Sequence, residues 1–534
     1  MRRPEIPNEV KLWRYPRNRD RALLELNPVV FGSSTLLILG FVILSLTFLD
    51  DFSSTVKHLQ HWVATEFGWL FVLAVNLMLG YLVFLALSPY GTIKLGGTNS
   101  RPEFSRPAWF AMLFSAGMGI GLMFYSIAEP MFHLVNPPHG ATPYTVAAYE
   151  DAIKTTFLHW GLHAWGIYTL MALGLAFFAY NLDQPLSIRS LFQPLLGNRI
   201  YRWPGHTIDT LATVATLFGV ATSLGLGATQ INAGLNQLFG IRVSETTQIL
   251  LIIFITSIAT LSVVLGLKKG IQRLSTANIS IATLLMLFVL LVGPTLFIAN
   301  GIVENIGLYL NDFFELGFWN ETYTRGDWQN GWTVFYWGWW IAWSPFVGMF
   351  IARISKGRTI REFITMALIA STLTTFLWLS IFGNTALYIE LSGPGGLADA
   401  VVKDLPRSLF VFFEKLPLVS HLHFPDSLQI LIGVLACIVV ISFFVTSSDS
   451  GSLVVDIITA GGHPNPPVAQ RIYWACMEGV VAIVLLAGGG LTALQTAAIS
   501  SGLPFLVIML LMIVCLHKAL ASYIRKTGIK TQPV

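Results

Sequence analysis

The chain has 534 residues, of which 54% are hydrophobic and only 11% are charged. Soluble proteins carry about 25% charged residues, so this composition, with a mean hydropathy of +0.66, excludes an ordinary soluble protein. The formal net charge is +4 and the basic residues are scattered among loops, which gives no support for nucleic-acid binding. Cys437, Cys476 and Cys515 lie in apolar runs without a CxxC pair, which argues against a disulfide framework and a thiolate metal site.

Apolar runs of about 20 residues, the length that spans a bilayer, recur from end to end. The first run begins near Val29 behind an arginine-rich head, so we expect no cleavable signal. The sequence predicts twelve membrane spans, at 30–49, 69–87, 108–134, 153–178, 208–238, 247–267, 276–298, 332–354, 363–389, 428–446, 472–487 and 493–517.

Loop charges indicate how these spans are oriented. Basic residues concentrate in the head and in alternate loops: Arg2, Arg3, Lys11, Arg14, Arg17, Arg19 and Arg21; Lys94, Arg101 and Arg106; Arg189, Arg199 and Arg202; Lys268, Lys269 and Arg273; Arg353, Lys356, Arg358 and Arg361; Lys518, Arg525, Lys526 and Lys530. The intervening loops are acidic or mixed. Because basic loops stay on the cytoplasmic side, both termini are predicted to be cytoplasmic, which agrees with an even number of spans.

Two segments between spans are predicted to be helical. In 303–319, apolar positions recur with mixed three- and four-residue spacing around Glu304, Asp312 and Glu315. This pattern predicts an amphipathic helix on the outer face, which either lies on lipid or packs against a neighbouring subunit. The loop 392–425 is predicted to contain a short helix after a Gly-Pro-Gly-Gly turn.

Two spans are predicted to be broken. Three glycines fall within 117–121 of the third span, and Ser344, Pro345 and Gly348 interrupt the eighth. Unwound backbone at membrane depth is tolerated where it is buried or lines a cavity, and paired broken helices in two halves indicate a transporter with inverted repeats. The alternative for the glycines is close helix packing of the GxxxG kind.

Aromatic side chains are unusually dense in two apolar segments. Five tryptophans fall within 331–363: Trp332, Trp337, Trp339, Trp340 and Trp343. A second patch contains Trp160, Trp165 and Tyr168. Aromatic faces attract a quaternary ammonium, which has no proton to donate, so a cation cage is the leading functional interpretation. The structural alternatives are an interface belt of aromatic residues and lipid-facing bulk.

Hydroxyl groups deep in two spans suggest ion ligands. The tenth span ends with the segment 443–450, where Thr446 and Ser447 suit a small hard cation, together with carbonyls freed at the broken third span. The alternative is a C-terminal helix cap leading into a loop. In the fifth span, the hydroxyls of Thr216, Thr222 and Ser223 either line a second ion site or bond back to helix carbonyls.

Other polar residues in the apolar runs give weaker signals. His159 and His163 share a helical face, but without an HExxH motif or a carboxylate cluster they are interpreted as core or interface histidines and not as metal ligands. Glu129 precedes Pro130 and is placed near the outer interface. A chain of proton-carrying carboxylates is not visible in the sequence.

Several motifs carry a family resemblance. The segments GMGIGLMFYSIAEP, HWGLHAWGIY, ATSLGLGATQI, FVGMFIARISKGRTIREF and FFVTSSDS occur in this order. With the tryptophan-rich segment, they resemble the betaine/choline/carnitine transporter family over nearly the whole chain. The resemblance implies an all-α fold with a LeuT-like core of two inverted five-helix repeats (spans 3–7 and 8–12), two extra N-terminal helices and a homotrimer. The implied divisions are a cytoplasmic tail 1–27, accessory helices 28–106, the first repeat 107–300, an outer helix and loop 301–330, the second repeat 331–517 and a cytoplasmic tail 518–534.

The resemblance also implies site residues. Substrate would be bound in a cage of Trp160, Trp165, Tyr168 and Trp340, with Trp339, Trp343, Phe350, Gly119 and Gly121 at the site or along its path. One sodium site would use Ser115, Met118, Phe443, Thr446 and Ser447, and a second would use Thr216 with Phe346 nearby. Val220 departs from this pattern, because betaine symporters have a second threonine there, and it leaves the second site open.

Choline carriers of the family tend to have aspartate at the position of Gly121, so glycine there favours a zwitterion that carries its own carboxylate. The sequence therefore predicts a sodium-coupled symporter in the bacterial inner membrane that imports a quaternary-ammonium zwitterion, glycine betaine, as a compatible solute. Its expected partners are the substrate, sodium, membrane lipid and two further copies of the chain, with no cofactor besides the coupling ion. Alternatives are a sulfonium analogue, ectoine, carnitine or choline as cargo, proton coupling, or a ligand-gated channel. An enzyme is not expected, because no clustered nucleophile, metal or acid–base set is found.

Overall fold

The structure is a computed structural model that describes residues 12–15, 23–117, 119–264, 268–416 and 426–527. Met118, most of the basic head and residues 528–534 of the C-terminal tail lie outside the described residues. The described chain is helical almost throughout, apart from an antiparallel pair of three-residue strands, β1 (Trp13–Tyr15) and β2 (Leu24–Leu26).

The α-helices follow in chain order. They are α1 Pro28–Thr47, α2 Leu49–Leu87, α3 Arg106–Gly117, α4 Ile120–Val135, α5 Val146–Trp160, α6 Leu162–Asn181, α7 Gln193–Leu196, α8 Trp203–Phe239, α9 Glu245–Val264, α10 Lys268–Val292, α11 Thr295–Asn311, α12 Phe313–Phe318, α13 Trp328–Gly331, α14 Thr333–Ile354, α15 Ile360–Ile364, α16 Ser371–Leu391, α17 Leu397–Lys403, α18 Ser408–Glu414, α19 Asp426–Thr459 and α20 Val468–Thr527. Short 3₁₀ turns occur at Pro89–Thr92, Ile188–Phe192, Gly197–Tyr201 and Leu405–Arg407, and a π-helical segment, Thr365–Ala370, joins α15 to α16.

Several of these helices have the length and composition of membrane spans. Among the described residues, 7 helices are long and apolar enough to cross a bilayer, and the number rises to 9 if each of two bent helix pairs counts as one span. The class predicted from the sequence, an all-α polytopic membrane protein, is therefore confirmed.

The predicted break in the third span is confirmed. Helices α3 and α4 meet at an angle of 67° between Gly117 and Ile120. Gly119 lies at φ −151° and ψ −138°, outside helical geometry. A further break, which the sequence analysis did not predict, separates α5 from α6 at Gly161, where φ is −95° and ψ is −132°. A methyl group at Gly161 would lie 2.6 Å from Phe376 Cε1, so a glycine is needed for this contact.

The predicted break in the eighth span is wrong, because α14 continues through Pro345. Proline has no N–H to donate to the carbonyl of Ile341, four residues earlier. The hydroxyl of Ser344 donates to that carbonyl instead, at 2.8 Å. The carbonyl of Ile341 is therefore not left without a donor. Gly348 lets α14 approach α6, since a methyl group at this position would lie 2.9 Å from Met171 Cβ.

Two other predicted boundaries change. α10 ends at Val292, and a bend of 109° leads into α11, so the outer helix begins before residue 303. α19 continues to Thr459, so the interpretation of 443–450 as a helix cap is wrong. Within α20, two helices meet at a kink at Gly490, whose φ of 56° favours glycine, and this kink lies between the predicted eleventh and twelfth spans. The loop 392–425 contains the predicted helix as α17, followed by α18.

The tryptophan-rich helix α14 lies inside the bundle. It packs against α6, α8 and α20, and every residue from Thr333 to Met349 is buried. A helix that is apolar on all sides and buried on all sides is a core element. The tryptophans of α14 therefore form neither an interface belt nor lipid-facing bulk.

Candidate functional site

The break between α3 and α4 brings backbone into contact with tryptophan rings. A methyl group at Gly121 would lie 2.7 Å from Trp339 Cη2 and 3.0 Å from Trp160 Cη2, and one at Gly117 would lie 2.5 Å from Trp165 Cη2. Carbon atoms do not approach so closely without displacement, so only glycine leaves room for the rings. The glycines of the third span thus admit the aromatic side chains of α5, α6 and α14, and the GxxxG-type packing of helix backbones is not their main role.

The four residues predicted to form a cation cage lie together. Trp160 and Trp340 have ring centroids 4.9 Å apart and planes at 70°. Tyr168 stands at 74° to Trp340 with centroids 6.0 Å apart, and Trp165 stands at 86° to Tyr168, also at 6.0 Å. All four side chains are buried. The arrangement presents several aromatic faces in different planes, which is the geometry that surrounds an organic cation.

Polar atoms of the same group remain available for a ligand. The indole N–H of Trp165 donates to Thr375 Oγ1 at 3.1 Å. The hydroxyl of Tyr168 and the indole N–H groups of Trp339 and Trp343 are buried without a hydrogen-bond partner among the described residues. Buried donors are almost always paired, so these three groups can donate to an acceptor on a bound molecule.

The remaining predicted substrate residues divide between the cage and its surroundings. Trp339 stacks on Trp340 with centroids 4.8 Å apart and planes at 12°. Trp343 follows one turn later, 6.5 Å from Trp339, and Phe346 packs edge-on against Trp343 at 5.4 Å. Phe350 is half-buried at the other end of α14. The cage therefore extends along α14 as far as Phe346.

Thr446, a predicted sodium ligand, bonds to its own helix and to α10. Its hydroxyl donates to the carbonyl oxygens of Ser442 at 3.0 Å and Phe443 at 3.1 Å, and it accepts from Asn278 Nδ2 at 3.2 Å. A hydroxyl oxygen has two lone pairs, so one remains for an ion.

Ser447 faces the broken third span. Its Oγ lies 3.4 Å from the Cβ position of Gly119, where the backbone is not helical. Ser115 is half-buried on α3, and Met118, whose carbonyl was the other predicted ligand there, lies outside the described residues. Of these predicted sodium ligands, Ser447 therefore lies next to the helix break between α3 and α4.

The residues of the predicted second sodium site bond within their own helix. The hydroxyl of Thr216 donates to the carbonyl of Ala212 at 2.8 Å. Val220, one turn later, is buried and offers no oxygen. Thr222 has a different role, because its hydroxyl reaches from α8 to the carbonyl of Leu494 on α20 at 2.8 Å. For Thr216, the observed hydrogen bond is the one expected if the hydroxyl bonds back to a carbonyl of its own helix.

Glu129 lies in the buried interior of the bundle, where its carboxyl group has four polar neighbours. One carboxylate oxygen accepts from Trp160 Nε1 at 2.7 Å and from the hydroxyl of Tyr336. The other lies 2.6 Å from His159 Nδ1 and 3.2 Å from His133 Nε2. An acidic residue inside an apolar span, here in the segment YSIAEP, is the signal that could have identified it.

Among the described residues, Glu129, His133 and His159 have the residue types of a metal site. Their potential ligand atoms lie within 4.8 Å of one another. The carboxylate that the sequence analysis did not find beside the histidines is therefore present. Zinc at about 2.0 Å from each ligand would hold ligand atoms roughly 3.3 Å apart. The 2.6 Å separation between Glu129 and His159 is that of a direct hydrogen bond, so the geometry favours a hydrogen-bond network.

A cavity of about 780 Å³ opens beyond the N-terminal end of α14. Its lining includes Trp319, Trp328 and Trp332. From there rings continue inward, with Trp328–Trp332, Trp332–Tyr336 and Tyr336–Trp340 centroids separated by 6.2, 6.4 and 5.7 Å. The aromatic series connects this cavity to the cage.

A helical membrane protein with a broken span and a buried cluster of aromatic side chains beside it has features of a membrane transporter. Comparison with known proteins identifies the carrier class. The model described as "betaine/carnitine/choline family transporter" matches residues 29–525, and the chain belongs to this family. Members of the family are transporters, so the chain is a transporter and not an enzyme.

Several relatives match over most of their length. A "Glycine betaine transporter" of Acinetobacter baylyi is 45% identical over 95% of this chain and 75% of its own. A "Glycine betaine/proline/choline transporter" of Vibrio parahaemolyticus is 42% identical over 93% and 90%. The "Glycine betaine transporter OpuD" of Bacillus subtilis is 44% identical over 89% and 90%.

Proposed function

We propose that this protein is a secondary active symporter that imports glycine betaine, a quaternary-ammonium zwitterion, together with sodium. The observation that carries the proposal is the perpendicular pair Trp160 and Trp340, with Tyr168 and Trp165 beside it. A trimethylammonium group has no N–H to donate and binds through the faces of aromatic rings. The names of the Acinetobacter and Bacillus relatives support the same cargo.

The carboxylate of the substrate is assigned to the unpartnered donors. The indole N–H groups of Trp339 and Trp343 and the hydroxyl of Tyr168 are buried and have no acceptor in the described chain. A carboxylate accepts such hydrogen bonds, and each is stronger because the acceptor is charged. Gly121 offers no anion to a substrate that lacks its own, so a zwitterion suits the site better than choline.

Sodium is assigned to the space between α19 and the broken third span. Ser447 faces Gly119, Thr446 keeps a lone pair, and carbonyls of unwound backbone at the break can supply further oxygen ligands. An ion there would hold α19 against α3 and α4 and so pre-organise the cage for substrate. At the second predicted site, Thr216 supplies a side-chain oxygen and Val220 supplies none. We therefore assign one sodium ion to the transport cycle.

We further propose twelve spans arranged as two inverted five-helix repeats behind two accessory helices, in a homotrimer in the bacterial inner membrane with both termini cytoplasmic. The alternating basic loops support the orientation. Large apolar side chains exposed on the outside of the bundle, such as Leu36, Leu291, Leu296, Val303 and Phe314, support contact with lipid and with neighbouring subunits. Transport then follows from one repeat bundle rocking against the other once the cage has closed.

The proposal is tested by uptake of radiolabelled glycine betaine into proteoliposomes with an inward sodium gradient, against an equal potassium gradient as control. We expect accumulation above equilibrium with sodium alone. An inside-negative potential should increase it, because each charge moved contributes about 2.3 kcal/mol per 100 mV. Uptake that depends on a proton gradient and not on sodium would mean that protons are the coupling ion. Absence of glycine betaine uptake would mean that the substrate must be sought among sulfonium compounds, ectoine and choline.

Gly121→Ala should weaken binding of glycine betaine by roughly tenfold, because the overlap of its methyl group with Trp339 and Trp160 displaces rings of the site at a cost of about 1–3 kcal/mol. The measurement is the substrate concentration for half-maximal uptake. Gly80→Ala is the matched control, since no atom lies within 4 Å of its Cβ position. Equal affinities for the two variants would contradict the assigned contact.

A further inference from the structure

We infer that Glu129 is a specificity-determining residue of the cage, which acts through the indole of Trp160 to favour a cation over a neutral group of the same shape. The inference deepens the proposed function and rests on it. Glu129 is fully buried, and Trp160 Nε1 donates to its carboxylate at 2.7 Å. Trp160 is the ring that stands perpendicular to Trp340 in the cage.

Four side chains surround the carboxyl group of Glu129. Trp160 and Tyr336 donate to one oxygen, and His159 and His133 lie against the other. We assign the Nδ1–H tautomer to His159, because Nδ1 can then donate to the carboxylate while Nε2 accepts from Thr333 Oγ1, 3.0 Å away. With this assignment the carboxylate accepts from Trp160, Tyr336 and His159, and these hydrogen bonds stabilise its ionised form against the cost of burial.

Both facing indoles of the cage are fixed by this group. Trp160 bonds to the carboxylate itself, and the indole N–H of Trp340 donates to the backbone carbonyl of His159 at 2.9 Å. His159 in turn bonds to Glu129 at 2.6 Å. A single buried anion thus orients one ring directly and the other through one residue, and it links α4, α5 and α14.

The anion also changes the electrostatics of the cage. An indole whose N–H donates to a carboxylate gains electron density, and its face becomes more negative. The attraction of a ring face for a cation is electrostatic, whereas its contact with a neutral apolar group is not. The buried setting strengthens the effect because few water molecules screen it. Glu129 should therefore raise affinity for a trimethylammonium group and leave affinity for a tert-butyl group almost unchanged.

The test compares two ligands that differ only in charge. Glycine betaine and 3,3-dimethylbutyrate share the carboxylate, but the second has a neutral tert-butyl group in place of trimethylammonium. Each inhibition constant is measured against uptake of radiolabelled glycine betaine by the purified full-length protein in proteoliposomes. In Glu129→Gln, the preference for glycine betaine should fall by about fivefold to tenfold relative to the wild type. If both constants change by the same factor, Glu129 has only a structural role and the inference is overturned.

Two further variants keep the test decisive. Trp160→Phe keeps an aromatic face but removes the N–H, so it should lower the preference similarly, and it replaces Glu129→Gln if that variant does not fold. The double variant should lose no more preference than the more affected single variant, whereas additive losses would overturn an effect transmitted through Trp160. Glu478→Gln neutralises another fully buried carboxylate, which bonds to Ser448. It should leave the ratio unchanged, and an equal fall there would also overturn the inference.

The outcomes separate this inference from the proposed function. Failure of the wild-type protein to take up or bind glycine betaine would overturn the proposed function, and the inference with it. Wild-type uptake with an unchanged ligand ratio in Glu129→Gln and Trp160→Phe would overturn the inference alone.

Discussion

Replacing Trp340 by alanine should reduce uptake of glycine betaine more than any other single substitution in the cage. Trp340 lies against three other rings of the site, with centroid distances of 4.9 Å to Trp160, 4.8 Å to Trp339 and 6.0 Å to Tyr168. A desolvated cation–π contact contributes about 2 kcal/mol, which corresponds to roughly a thirtyfold loss of affinity. The loss should be visible as a raised half-saturation concentration for glycine betaine in proteoliposomes.

Two comparisons separate the lost ring from general damage to the fold. Trp340→Phe keeps an aromatic face and loses only the hydrogen bond to the carbonyl of His159, so its affinity should fall between those of the wild type and the alanine variant. Trp378→Ala removes another buried tryptophan, one that stacks on Phe382 outside the cage. Comparable losses of affinity in Trp378→Ala and Trp340→Ala would mean that the effect comes from packing, and the cage assignment would fail.

The sequence indicated which aromatic residues could form the proposed cage, but not how their rings are arranged. Dense tryptophans in one apolar span, a second aromatic patch and the glycine-rich break were all readable as patterns. Which rings face one another depends on the break at Gly161, which sets the direction of α6 relative to α5, and on how both pack against α14. Such packing joins residues far apart in the chain, so no local pattern specifies it.

The two predicted helix breaks had opposite outcomes for a local reason. At 117–121, three alternate glycines face large rings, and the chain leaves the helix. At Pro345, a neighbouring hydroxyl replaces the hydrogen bond that proline cannot make, so the helix persists. The Ser344–Pro345 pair was interpreted as a break, but the serine hydroxyl satisfies the carbonyl that the proline leaves without a donor. The early bend before Thr295 had a signal that was not used, the Gly293–Pro294 pair.

The hydrogen-bond network of Glu129 could not be predicted, because most of its partners are distant in sequence. Position alone put it near the end of a span, beside Pro130. His133 is four residues away on the same helix, but the other three partners come from α5 and α14 and become visible only when these helices are packed. A buried acid is costly without partners, so its occurrence in an apolar segment indicates that partners exist, but it does not name them.

Replacing Thr446 and Ser447 together by alanine should raise the sodium concentration needed for half-maximal uptake by about tenfold or more. Each substitution removes one hydroxyl oxygen, and a contact between a polar group and a charge contributes about 1.5–3 kcal/mol. Ser447 faces Gly119 at the helix break, and Thr446 lies on the same turn of α19. The measurement is the sodium dependence of initial uptake rates at saturating glycine betaine.

The control for this double variant comes from the same helix. Ser452→Ala removes a buried hydroxyl that donates to the carbonyl of Asp449 at 3.1 Å, and it should leave the sodium dependence unchanged. Tryptophan fluorescence at high sodium should still report binding of glycine betaine by the double variant, because the cage itself is intact. A sodium requirement equal to that of the wild type would place the coupling ion elsewhere. Loss of substrate binding even at saturating sodium would mean instead that these hydroxyls support the cage and not the ion.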